Sequence, residues 1–123
     1  MNPLLLCAHM EPGRLLRLSM IAGALGIRVK EIKEEEAGQR LEALCGLSPI
    51  GRPAGKKAKI GGEMAVMAFF PEKLMDTLFD AIRKNGLERP RLMAVLTPTN
   101  RTWTLEHLYQ ELQKEYAALT AQK

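Results

Sequence analysis

Twice in this chain an apolar run leads through a proline into helical spacing, then a glycine, then a second short apolar run. The first instance has residues 4–10, Pro12, and Leu15, Leu18, Ala22 and Leu25, followed by Gly26 and by Ile27 and Val29 alternating with Arg28 and Lys30. The second has residues 64–70, Pro71, the wide stripe of Leu74, Met75, Leu78, Phe79 and Ile82, then Asn85, Gly86 and residues 92–96. Short apolar runs read as buried strands and the longer periodic stretches as amphipathic helices. Proline suits a first helical turn, and glycine suits a left-handed helix end. Pro12 answers Pro71 at an offset of 59, and Gly26 answers Gly86 at 60.

Two β-α-β units in tandem restrict the topology sharply. Right-handed crossovers make the two strands of each unit parallel. The expectation is a ferredoxin-like α+β domain, with helices on one face of a four-stranded antiparallel sheet. A small doubly wound sheet is the alternative. One domain over residues 1–123 is expected, with halves at 1–33 and 63–97. Between them Glu34, Glu35 and Glu36 suit the positive end of a short helix over 39–44, closed by Gly46. Residues 46–62 are a Gly- and Pro-rich basic insert, read as a loop. A last helix over 104–120 starts at Thr104 as N-cap, with Trp103 and Leu108 spaced as a hydrophobic staple. Leu105, Leu108, Leu112 and Leu119 form its expected inner stripe, bordered by Tyr109 and Tyr116.

The net charge of +4, from 18 Lys and Arg against 14 Asp and Glu, permits contact with anions without demanding it. A dedicated nucleic-acid binder carries a stronger or more clustered bias. The strand over 4–10 also lacks the aromatic residues on which an RNA-recognition sheet stacks bases. Cys7 and Cys45 form no CxxC pair and no disulfide framework, as expected of reduced thiols in a cytoplasmic protein. The run before Cys7 is too short for a signal peptide and no stretch is long enough to span a bilayer, so no membrane role is expected.

Ala94-Val95-Leu96-Thr97-Pro98-Thr99-Asn100, followed by Trp103-Thr104-Leu105 and a Glu-rich amphipathic helix, resembles a bacterial family known as domain of unknown function 3783. The preceding helix with its Arg83-Lys84-Asn85-Gly86 ending shares the resemblance, which covers residues 66–115. Met93 stands where the family implies a lysine. The family implies no activity.

Thr97, Thr99, Asn100 and Trp103 are the first candidate site, because a strand end leading into a helix offers free N–H groups to an anion. The same residue types also make turn and cap bonds, and Trp103 also suits packing onto Leu108. Arg52, Lys56, Lys57 and Lys59 are the second candidate, for an anion or a partner, although their spacing departs from a Walker motif. Cys7 and His9, two apart on a strand, would share a face and could form a thiolate pair. His107 and Glu111 stand one helical turn apart, too few ligands for a metal. No catalytic residue, metal or cofactor is assigned. The leading expectation is a binding or regulatory module for a small anionic ligand or a protein partner, with room for a homo-oligomer. The alternatives are a plain protein-interaction domain using the last helix with Tyr109 and Tyr116, and, last, a thiol enzyme using Cys7.

Overall fold

The computed structural model describes residues 2–51 and 60–121. Its elements are β1 (Leu4–Ala8), α1 (Pro12–Ala24), β2 (Arg28–Ile32), a 3-10 turn (Glu34–Glu36), α2 (Leu41–Leu44), β3 (Met64–Ala68), α3 (Leu74–Lys84), β4 (Leu92–Val95), a second 3-10 turn (Asn100–Thr102) and α4 (Leu105–Ala121).

The four strands form one sheet in the order β2-β1-β3-β4. β1 pairs with β2 and β3 with β4 in parallel, while β1 and β3 run antiparallel at the centre. The expectation of an all-antiparallel sheet is therefore corrected to a mixed one. A ferredoxin-like sheet splits each β-α-β unit around a strand of the other. Here the two strands of each unit are direct neighbours, and only the central seam is antiparallel. The helices also occupy both faces rather than one. Leu18, Ala22, Leu78 and Ile82 of α1 and α3 pack with Leu5, Cys7, Ala65 and Met67. Leu41, Leu44, Leu105 and Leu108 of α2 and α4 pack with Leu4, Leu6, Ala8, Met64, Val66 and Ala68. Strand alternation sends successive residues to opposite faces, so β1 and β3 are apolar at every position because both faces are covered.

The repeat runs deeper than the sequence suggests. Leu4 and Met64 begin the central strands sixty residues apart, and Leu6 pairs with Val66 at the midpoint of the seam. His9 and Phe69, again sixty apart, both take the left-handed backbone, at φ 57° and 62°. The helices end alike: Gly26 and Gly86 have positive φ, and Ile27 N–H donates to Ala22 O as Leu87 N–H donates to Ile82 O. The offset is thus 60 throughout this stretch, and the 59 read from the prolines is corrected. Pro71 does not open the second helix; Lys73 takes a left-handed backbone, and α3 begins at Leu74. Beyond an insertion of residues 88–91 the offset becomes 64. There Leu41 N–H donates to Trp103 O at 2.8 Å, and Leu105 N–H donates to Gln39 O at 3.2 Å. The molecule is two copies of a strand-helix-strand-turn-helix unit related by a pseudo-twofold axis.

Two strand ends and the burial of two residues of α4 differ from expectation. β1 and β3 stop at Ala8 and Ala68 because the left-handed residue that follows turns the chain out of the sheet. Leu119, expected in the inner stripe of α4, is 66% exposed in the helix's last turns. Tyr109, expected to border a docking face, is buried, and its hydroxyl accepts a bond from Gln113. Among the described residues no helix is long and apolar enough to cross a membrane.

Candidate binding cleft

Thr97, Thr99, Asn100 and Trp103 line one groove of about 320 Å³ between β4 and α4, with Met93, Glu111 and Glu115 among its other walls. The turn itself is closed by its own side chains. Asn100, only 7% exposed, accepts from Thr97 N–H through Oδ1 at 2.8 Å and donates from Nδ2 to Val95 O at 2.9 Å. Asn100 N–H in return donates to Thr97 Oγ1 at 3.0 Å. Those groups hold the strand-to-helix connection, which leaves exposed Thr99 as the turn's free hydroxyl. Trp103 stacks on the His107 ring, with centroids 4.4 Å apart, and packs against the α2/α4 core. Thr104 caps α4, its Oγ1 accepting from His107 N–H at 3.1 Å. An anion in this groove meets the carboxylates of Glu111 and Glu115. His107 Nε2 lies 3.7 Å from Glu111, and the described residues contain no cluster that could hold a metal ion. Met93 packs against the α1/α3 core as well as lining the groove.

Arg52, Lys56, Lys57 and Lys59 lie outside the described residues. Just before them, Gln39 grips Gly51 by two bonds, donating to its carbonyl at 2.8 Å and accepting from its N–H at 3.0 Å.

The Cys7–His9 pairing does not form. Cys7 is buried against α1 and α3, and burial first, then Glu63 and Glu31, pushes its thiol up to about 12. His9 follows the end of β1 with a left-handed backbone, so strand alternation no longer applies to it. It is exposed and lines a different feature.

That feature is a cleft of about 260 Å³ at the C-terminal ends of β1 and β2. Ala8, Ile32, Ala37 and Ile60, all core residues, supply its apolar lining. His9, Glu31, Lys33 and Glu34 add titratable groups of both signs. Sequence reasoning passed over it. The available signal was positional, since ligands in α/β sheets gather at the carboxyl ends of parallel strands. The pseudo-twofold axis explains why it is open here. Phe69 is the counterpart of His9 and packs against the α2/α4 core, whereas His9 leaves the equivalent position to a cavity. A further cavity of about 550 Å³ lies beside the start of β4, where Arg91 and Lys114 are exposed. Arg91 is stacked on Tyr116, and Lys114 pairs with Glu111.

The fold is thus a duplicated α/β unit whose first copy carries the His9 cleft, and its second copy matches a known family. Residues 63–119 match the family described as Domain of unknown function (DUF3783). The match spans β3, α3, β4 and nearly all of α4, so it coincides with the second structural repeat. The His9 cleft belongs to the first repeat, outside the matched segment. No curated protein and no solved structure matches the chain.

Proposed function

We propose that the protein is a small-molecule-binding module whose site is the His9 cleft, and that its ligand is a small zwitterion with an apolar body, of the kind an apolar amino acid represents. The cleft itself supports this. Its apolar lining suits a hydrocarbon side chain, Lys33 and His9 suit a carboxylate, and Glu31 and Glu34 suit an ammonium group. A purely anionic ligand would face the two glutamates unpaired, which narrows the small anionic ligand expected from charge alone. The buried, protonated Cys7 offers no nucleophile, so binding rather than thiol chemistry is the better-supported function.

The experiment is a thermal-shift screen of the twenty amino acids, because a ligand that binds only the native state raises the melting temperature. One or more apolar amino acids should stabilise the native chain. His9→Phe, which copies Phe69, should keep the fold and lose the shift. If no amino acid stabilises the protein at millimolar concentration, the proposal fails.

A plain protein-interaction role has one observation in its favour. β4 is an edge strand, and its outer side meets the groove of Thr97, Thr99 and Trp103. An extended basic peptide would add to that edge and meet Glu111 and Glu115.

A further inference from the structure

The pseudo-twofold axis supplies an internal control for the surface of α1. Counting from the core-facing Leu18, the outward positions of this helix are Pro12, Gly13, Leu16, Met20, Gly23 and Ala24, and all six are exposed. Sixty residues on stand Glu72, Lys73, Asp76, Asp80, Arg83 and Lys84, also all exposed. Every one of the six is uncharged in the first repeat and charged in the second. Leu16 and Met20 are 64% and 68% exposed. Single exposed apolar residues are ordinary. Six outward positions without charge, flanked by the exposed Arg17 and matched by six charged residues at the same places in and just before α3, are not.

We infer that the outer face of α1 is the interface of a homodimer, in which α1 packs antiparallel against α1 of a second copy across a dyad at Met20. The stripe is self-complementary in that arrangement. Met20 meets Met20 of the other copy, and Leu16 lies over the small residues Gly23 and Ala24, so large side chains fill the space that small ones leave. Nothing in the stripe selects a charged partner. The two arginines of α1 are turned elsewhere: Arg14 binds Glu63 and the Glu88 carbonyl, and Arg17 donates to the Asn85 carbonyl at 2.7 Å. An isologous interface requires one patch to fit itself, and this one does. The charged face of α3 stays in water.

Sedimentation equilibrium of the full chain tests this, with two variants. Leu16→Asp with Met20→Asp copies the residues that α3 carries at the same positions, so the fold tolerates them by precedent within the molecule. Gly23→Leu adds a side chain whose Cβ meets no atom within 4 Å in the single chain but which would stand where Leu16 of the second copy sits. The native chain should be a dimer at micromolar concentration. The double aspartate variant should be a monomer with an unchanged circular dichroism spectrum. Gly23→Leu should weaken the dimer on the order of tenfold or more, as overpacking does. A native chain that is monomeric overturns the inference, and so does a dimer that survives either set of substitutions.

Discussion

Arg40 and Thr104 pair with each other in an isolated antiparallel bridge that sits on the pseudo-twofold axis. They are sixty-four residues apart, as are Leu41 and Leu105, which begin the two helices on that side of the sheet. At the sheet itself the same axis passes between Leu6 and Val66. One symmetry relation therefore ties the central seam to the helix starts, and the departures from it mark where the halves have diverged in role.

Asn100 holds the second strand-to-helix connection, and its removal should be costly. Asn100→Ala leaves the Thr97 N–H and the Val95 carbonyl without their partners in a buried place. The expected loss is about 2 kcal/mol in urea unfolding. Thr99→Ala, at an exposed position in the same turn, should cost less than about 0.5 kcal/mol.

His9 and Phe69 share a backbone conformation that costs an ordinary residue roughly 1–2 kcal/mol and glycine almost nothing. His9→Gly should leave stability unchanged or raise it by up to about 1 kcal/mol, since the exposed imidazole packs against little. Phe69→Gly should lower stability by about 2 kcal/mol or more, because it also removes an aromatic side chain from the core. Paired denaturation curves check the difference in sign.

Glu11 caps α1, its two oxygens accepting from Gly13 N–H at 2.9 Å and Arg14 N–H at 3.1 Å. Those two bonds hold its carboxyl below the ordinary 4.5. The folded value is the lower one, so the contribution is complete above the unfolded value and disappears as pH falls through the folded one. Acid titration of Glu11→Gln should show a shallower loss of stability below pH 4.5 than the native chain.

Cys7 acts at the opposite end of the pH scale. Its thiol is protonated in the folded chain to about 12, against 9.0 when exposed. The raised value means that stability is complete below 9.0 and falls as pH climbs from there toward 12. Cys7→Ala should flatten that alkaline slope. Iodoacetamide at pH 8 should label Cys7 only after unfolding.

Much of the fold was legible because local chemistry wrote it. Gly26 and Gly86 mark helix ends, Thr104 marks a helix start, and the apolar runs at 4–8 and 64–68 mark strands buried on both faces. The sheet order was not legible, because nothing in the connection from Gly46 to Met64 states whether β3 pairs beside β1 or inserts between β1 and β2. The full repeat was hidden by length. α2 has 4 residues where α4 has 17, so the equivalence of Leu41 and Leu105 appears only in their reciprocal hydrogen bonds. The Thr97 to Asn100 turn was legible as a polar feature, but residue types alone could not show that Asn100 turns all its hydrogen-bonding groups inward. The His9 cleft escaped notice because it is made of ordinary residues, and it stands out only against Phe69.

The most direct measurement is a two-dimensional amide NMR titration of the native chain with the amino acid that gives the largest thermal shift. The account predicts perturbations at residues 8–10, 31–34 and 37, with the turn at 97–100 unmoved. Perturbations centred on 93–100 and 111–115, or around Arg91 and Lys114, or none at all, would contradict it.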